Sequence, residues 1–427
     1  TMTEYLDARG RPRIVLTGIG VLSPLGNTLA ESWANAVAGR SGIAPITQFD
    51  PGDLPCSIAG EVKGFQAKDY MNFKEARRMS RSSQFAIAAA KMAMEDAGLG
   101  EQVPDPERAG VIVGTGMGGF DRADESLQIY REHGLARVSP FAITSSLANM
   151  ASHHVSLQTG TLGPISTVVA ACATGTQAIG EAAELIRQGR ADLVLAGGVE
   201  GLIHEAAVAG FAALRALSTG FNDTPERACR PFDKDRDGFI LSEGAGVVVL
   251  ERLDQAVARG ASIYAELLGH ASSSDAYHVA APDPEAAGAV RAMKWALADA
   301  GVPLDKVDYI NAHGTSTPVN DATETFAIKK LFGEHAYNMA VSSTKSVMGH
   351  AMGAAGAIES VFCAMALKDG VIPPTINYET ADPECDLDYV PNQARQTALK
   401  VAMCNSFGLG GQNACLVLGK YQNGKSG

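Results

Sequence analysis

Short apolar runs of strand length alternate along this chain with longer stretches in which apolar residues return every three or four positions, the pattern of α/β layers. The strand candidates are residues 14–17, 110–113, 166–170, 192–196, 245–250, 307–311, 340–343 and 415–418. Most are rich in Val and Ile without clean alternation, which predicts strands covered by helices on both faces. Helical period marks residues 84–97, 176–188, 284–300 and 353–367, with Gly or Asp at several ends. The 46 glycines gather in loops that follow strands. No Pro- or Ser-rich linker interrupts the pattern, so the chain reads as one compact unit whose best division lies near residues 251–262, where a strand gives way to polar helix.

Composition narrows the class. At 427 residues the chain can hold two or three ordinary domains, or one composite domain built from two similar halves. Hydrophobic residues at 46% and charged ones at 19% are globular values. The net charge of −12 excludes a sequence-independent grip on nucleic acid, which needs excess Lys and Arg to displace counterions. An acidic partner must therefore meet a local basic patch. Seven cysteines (56, 172, 229, 363, 385, 404 and 415) show no CxxC and no paired metal-ligand spacing, so reduced thiols in a cytosol-like, cytoplasmic setting are expected. The opening Thr-Met-Thr-Glu-Tyr-Leu-Asp carries no basic region followed by an apolar stretch, and no run of membrane-spanning length occurs.

The strongest chemical signal is Thr167-Val-Val-Ala-Ala-Cys172-Ala-Thr-Gly175-Thr-Gln-Ala-Ile-Gly180, an apolar strand that runs into small residues with a helix starting just after Cys172. A cysteine there sits at the positive end of a helix dipole beside unpaired N–H groups, which is expected to acidify the thiol and supply an oxyanion hole for attack on a thioester. The commoner fate of a cysteine, a buried structural residue, stands as the alternative. The other six cysteines lack this setting.

Two histidines lie in Gly/Ser/Thr-rich turns directly after strands: Tyr309-Ile-Asn-Ala-His313-Gly-Thr-Ser-Thr-Pro318 and Val341-Ser-Ser-Thr-Lys345-Ser-Val-Met-Gly-His350-Ala-Met-Gly-Ala-Ala-Gly356. Loops at the C-terminal ends of strands are where α/β folds gather active sites, so both are placed to meet Cys172. Two imidazole N–H donors suit the enolate left when a malonyl thioester loses carbon dioxide. Lys345 and Glu359, 14 residues apart, form either an ion pair that positions the His350 loop or an ordinary surface pair. Cys404-Asn-Ser-Phe-Gly-Leu-Gly-Gly-Gln-Asn413 reads as a further glycine-rich loop whose N–H can complete the oxyanion hole.

Three tempting matches fail. Gly114-Thr-Gly116-Met-Gly-Gly119 satisfies GxGxxG, but no second strand ending in an acidic residue follows about 20 positions later, so a dinucleotide site is rejected. Asp233-Lys-Asp235-Arg-Asp237-Gly238 copies the start of a calcium loop, yet position twelve is Gly244. His153-His154 has no matching ligand cluster, so no metal and no cofactor are assigned.

At Ala-Cys172-Ala-Thr-Gly, Asn-Ala-His313-Gly-Thr-Ser-Thr, Ser-Ser-Thr-Lys345-Ser with Gly-His350, and Asn-Ser-Phe-Gly-x-Gly-Gly, the chain resembles the β-ketoacyl-acyl-carrier-protein synthases, from about Ile14 to Leu418. Arg230-Pro-Phe-Asp-Lys-Asp and Ser274-Asp-Ala-Tyr-His make it more similar to the type II than the type I branch. The resemblance implies a thiolase-like α/β fold of two related halves, residues 12–255 and 256–420, stacked as an α-β-α-β-α sandwich and assembled as a homodimer. It implies decarboxylative Claisen condensation, with Cys172 carrying the acyl group, His313 and His350 acting on malonyl-carrier protein, and Lys345 and Glu359 in support. Thr315 and Thr317 match residues that hold the pantetheine arm of acyl carrier protein. Phe407, Gly408 and Leu409 match the C-terminal substrate loop, where the family usually has a second Phe in place of Leu409. Met117 and Phe211 match the acyl pocket, and Lys74, Arg77, Arg78, Arg137 and Arg215 match the carrier-protein docking face.

Other functions share parts of this pattern. A polyketide ketosynthase shares every catalytic residue and is the runner-up. A thiolase adds a second reactive Cys in a C-terminal glycine-rich loop, which Cys404 and Cys415 do not supply. A chain-length-controlling subunit or scaffold lacks the nucleophile that Cys172 provides.

Overall fold

Seven of the eight apolar runs are strands of a single ten-stranded mixed sheet in the computed structural model, which describes residues 2–422. The first five strands are β1 (Ile14–Leu22), β2 (Ala109–Gly114), β3 (Ile165–Ser166), β4 (Leu193–Glu200) and β5 (Gly244–Arg252). The second five are β6 (Ala265–Ser274), β7 (Tyr309–Asn311), β8 (Ala340–Ser342), β9 (Val401–Gly408) and β10 (Gln412–Gly419). The eighth run is a correction. Only Ile165–Ser166 of the expected strand 166–170 pairs with a neighbour, and residues 167–170 lead irregularly to Cys172.

The pairing repeats itself. In the first half β1 and β5 are antiparallel, β5 and β4 antiparallel, β4 and β2 parallel, and β2 and β3 parallel. Adding five to each label gives the second half with every direction preserved. The halves join through Ile14–Leu16 of β1 against Ala265–Leu267 of β6. Helices repeat in step: α1 (Arg81–Asp96), α2 (Met150–Thr159) and α3 (Thr174–Arg187) correspond to α4 (Ala287–Ala300), α5 (Pro318–Phe332) and α6 (Ala355–Asp369).

Strand side chains alternate between two apolar faces, as double coverage requires. Val111, Val113, Leu195 and Val249 pack against Phe85 and Ala89 of α1. Ile112, Val194, Val248 and Leu250 face a central cluster with Ile179 of α3 and Ile358 and Phe362 of α6. Leu416 and Leu418 enter the same cluster from the second half, while Met403 and Val417 face Met293 of α4 and Ile328 of α5. The order α-β-α-β-α follows. Helix α6 is buried on all sides from Ala355 to Leu367, which explains why its sequence lacks a polar stripe. Each large apolar side chain buried there contributes roughly 1.5–3 kcal/mol. Among the described residues no helix is long and apolar enough to cross a membrane.

Candidate active site

Cys172 sits in a tight turn, Ala171–Ala173, that feeds directly into α3. Ala171 has φ +47°, a left-handed conformation that strains a residue with a Cβ by about 1–3 kcal/mol and re-aims the chain between strand and helix. Gly408, at the end of β9, lies over this turn: a Cβ there would stand 2.8 Å from Ala170 O and 3.2 Å from Cys172 N. The next residue, Leu409, directs its backbone N–H at the Cys172 sulfur.

The strand ends bring both histidines to this sulfur. His313 follows β7 and His350 follows β8, and a ring nitrogen of each lies within 4.8 Å of the other and of Cys172 Sγ. The two rings meet edge to face at 5.4 Å between centroids. His350 Nε2 is 3.1 Å from the sulfur, and its Nδ1 accepts the Met352 N–H at 3.3 Å. In the neutral ring that bond leaves the proton on Nε2, so His350 donates toward Cys172. Burial, reinforced by the Lys345 ammonium, holds both imidazoles well below the usual histidine range, so both are neutral donors.

One expectation reverses. The helix-end setting predicts an acidified thiol, but complete burial outweighs it and pushes Cys172 up to about 11, with Glu200 and Glu359 acting the same way. Lys345 and the Leu409 N–H pull in the opposite direction.

Lys345 Nζ and Glu359 Oε1 are 2.5 Å apart and wholly buried, so they are an internal ion pair and not a surface one. Burial holds Glu359 above the ordinary carboxylate range against the pull of Lys345. Two further internal carboxylates brace the loops. Glu324 on α5 accepts the N–H groups of His313 and Gly314 at 2.9 and 2.8 Å, and burial pushes it up to about 7. Glu200, at the end of β4, accepts from Thr115 Oγ1, Gly116 N and Gly353 N at 2.9, 2.8 and 3.0 Å. The GxGxxG loop thus turns its N–H groups toward the protein's own carboxylate, where a phosphate would otherwise sit.

Cys172, His313 and His350 open into a cavity of about 440 Å³ whose walls include Phe211, Phe239, Thr315, Thr317, Met352 and residues 407–411. Its walls are mainly apolar, with the hydroxyls of Thr315 and Thr317 among them.

The sequence profile described as the N-terminal domain of beta-ketoacyl synthase matches residues 11–256, and that of the C-terminal domain matches residues 264–379. The chain belongs to the beta-ketoacyl synthase family. A 3-oxoacyl-[acyl-carrier-protein] synthase 2 from Synechocystis sp. is 50% identical over 412 residues, 96% of this synthase and 99% of its own length. Its namesake from Staphylococcus aureus (strain COL) is 48% identical over 410 residues, again 96% and 99% of the two chains. A type II polyketide ketosynthase solved in complex with its acyl-carrier protein superposes with TM-score 0.89 at 35% identity, covering 96% of this synthase and 100% of that chain.

The synthase places the remaining sequence candidates as follows. Thr315 and Thr317 share a hydroxyl bond of 2.8 Å on the cavity wall, and Thr317 also caps α5 through the Asn320 N–H. Phe211 and Leu409 line the cavity, but Met117 is not among the lining residues: it is half-exposed, with its N–H turned to Glu200. Of the five basic residues only Arg215 lines the cavity; Lys74, Arg77, Arg78 and Arg137 are exposed on other segments, Arg78 stacked over Phe141. The stretch 404–413 is not simply a loop. Cys404 to Gly408 belong to β9, and a turn through Gly410 and Gly411, both left-handed, returns the chain as β10. In the calcium-like segment Asp233 binds Arg230 and the N–H groups of Glu379 and Thr380, and Asp237 accepts from Thr219 and Gly220, so these carboxylates fasten loops. Burial lowers His154 to about 4. Sequence reasoning missed Glu200 and Glu324, whose only signal was a charged residue at a strand end or on a helix facing a core.

Proposed function

We propose that this synthase is a 3-oxoacyl-[acyl-carrier-protein] synthase of the second type, elongating an acyl chain by two carbons. The observation that carries the reading is one sulfur and two neutral imidazoles within 4.8 Å of one another at the base of a single cavity. In the first half-reaction Cys172 Sγ attacks the carrier thioester, the N–H groups of Cys172 and Leu409 hold the oxyanion, and the thiol proton leaves with the pantetheine sulfur. In the second, malonyl-carrier protein loses carbon dioxide, the Nε2–H of His350 and the ring N–H of His313 hold the enolate oxygen, and the enolate carbon attacks the acyl carbonyl. The new carbon–carbon bond forms as the Cys172 thioester breaks.

Residues 12–255 supply the nucleophile and residues 256–420 both histidines, one contribution from each five-stranded unit. Acyl carrier protein fits as partner because Arg215 at the mouth offers a basic contact to an acidic protein, with Lys74, Arg77, Arg78 and Arg137 as its extension. Strand β3 is an exposed edge of the sheet, with its own Ile165 50% exposed and Leu162 just before it 73% exposed, which supports a homodimer closed across that edge. The relatives named for fatty-acid-type synthases are closer in sequence than the polyketide ketosynthase, which favours the first over the second pathway.

The test is a chain-length series of acyl-carrier substrates with malonyl-carrier protein, read by product mass. The synthase is expected to yield 3-oxoacyl products two carbons longer, and Cys172→Ala to give none while retaining its fold. Persistent acyl labelling of Cys172→Ala, or no elongated product from the wild type, overturns the reading.

A further inference from the structure

We infer that Glu200 is a positioning residue for His350, acting through Gly353 and Met352. The two halves of the fold repeat the same strands and helices in the same order. Met352-Gly353-Ala354 occupies in the second half the place that Ala171-Cys172-Ala173 occupies in the first: each is a tight turn leading into the central helix of its half. Ala171 has φ +47° and Met352 φ +46°, so both turns store the same left-handed strain at the same position. Gly353 is therefore the counterpart of the nucleophile, and Glu200, which ends β4, is the counterpart of Gly408, which ends β9.

The two turns use their N–H groups differently. In the first half a glycine leaves the space beside the Cys172 N–H open. In the second, the Glu200 carboxylate, fully buried, fills that space and accepts the Gly353 N–H at 3.0 Å. Its other contacts are Thr115 Oγ1 at 2.9 Å, Gly116 N at 2.8 Å and Met117 N at 3.3 Å. Only glycine fits opposite it, because a Cβ at Gly353 would stand 2.8 Å from Glu200 Oε2 and 2.4 Å from Gly116 N.

The residue held in place by this clamp is Met352. Its N–H donates to His350 Nδ1, which sets the proton on Nε2, and its Sδ lies 4.0 Å from Cys172 Sγ. Without the Gly353 anchor Met352 relaxes out of its left-handed conformation, the bond to Nδ1 goes, and the imidazole loses both its tautomer and its aim. Acyl transfer to Cys172 depends on the Cys172 and Leu409 N–H groups and is less affected.

This inference rests on the condensing reading, and the experiment separates the two. Glu200→Gln keeps the shape but presents an NH2 to the N–H donors of Gly116 or Gly353. Wild type and variant are compared as full-length proteins in carbon dioxide release from malonyl-carrier protein, acyl labelling of Cys172 by intact mass, and melting. Release is expected to fall by roughly 10- to 100-fold, the scale for loss of an outer partner that fixes a histidine or for a small misplacement of a reacting group. Acyl labelling should fall far less. Ring nitrogen shifts of His350, read by 15N NMR, should report Nε2–H in the wild type and a population of Nδ1–H in the variant. Thr115→Val, which removes the hydroxyl donor to Glu200 Oε1 and leaves the Gly353 N–H on Oε2, should retain release. Equal loss of both half-reactions with a lowered melting temperature, unchanged release, or an unchanged His350 tautomer overturns the inference. A wild type that releases no carbon dioxide sinks the condensing reading instead.

Discussion

If His313 and His350 act as neutral N–H donors, decarboxylation has a pH dependence opposite in sign to that of a mechanism using imidazolium. Both rings are buried beside Lys345 and are held well below the usual histidine range, so above about pH 6.5 neither carries a charge to lose. Release of carbon dioxide from malonyl-carrier protein, followed in Cys172→Ala so that condensation does not intervene, should be level on the alkaline side. Any decline belongs to the acid side, because Glu324, pushed up to about 7, loses as it protonates the charge that holds the His313 and Gly314 N–H groups. The size of the effect follows from the donor count. One preorganised donor to a developing oxyanion is worth about 10²–10³ in rate, or about 2.7–4 kcal/mol, so His313→Ala should slow release by that factor. The double variant with His350→Ala should lose less than the product of the singles, since both donors serve one oxygen. A rate that falls tenfold per pH unit toward alkali, with a midpoint in the ordinary histidine range, would falsify the neutral-donor argument. Undiminished release by His313→Ala would remove that residue from the reaction.

Two further outcomes test the scaffold of the site. Glu359→Leu strands the Lys345 ammonium in a fully buried place and should cost about 3–5 kcal/mol, which for a chain of this size lowers the melting temperature by about 3–5 °C. Adding Lys345→Met should recover much of that loss, and strictly additive losses would show that the pair is not coupled. Gly408→Ala drives a Cβ to within 2.8 Å of Ala170 O, so acyl labelling of Cys172 should collapse with little change in melting, and normal labelling kinetics would show that the turn can give way.

The elements visible in the sequence are those whose apolar residues form unbroken runs. β1, β2, β4, β5 and β10 announce themselves because both faces are covered. β6 and β9 do not, for an identifiable reason. β6 ends in Ser272, Ser273 and Ser274, and β9 carries Asn405 and Ser406, polar residues that the fold accommodates individually: Asn405 Nδ2 donates to Glu324, and Ser406 pairs with Thr176 at 2.7 Å. Such partners come from other elements and have no local pattern. The loops that carry Cys172, His313 and His350 were legible because strand, small residues and helix follow each other within a few positions, whereas the sign of the Cys172 shift was not, since burial depends on what the second half lays over it. Glu200 and Glu324 were missed on the same ground: each binds backbone N–H groups of loops ten or more residues away in sequence.

Why the nucleophile and the histidines come from different halves follows from how α3 and α6 meet. They cross at their first turns, where a Cβ at Gly175 would stand 2.6 Å from Ala357 N and one at Gly356 would stand 2.0 Å from Thr176 Oγ1. Glycine on both sides lets the two helix starts approach closely, and each start is preceded by its strained turn, one bearing Cys172 and the other Met352 and Gly353. His350, two residues before Met352, is thereby carried to 3.1 Å from a sulfur 178 positions away in sequence. The arrangement brings both imidazoles of the second half within 4.8 Å of the sulfur of the first, which on the proposed reading lets a carbanion held by one half attack an acyl group held by the other. A single half has a strand-to-helix turn but no facing loop, so duplication supplies the second wall on which the condensation depends.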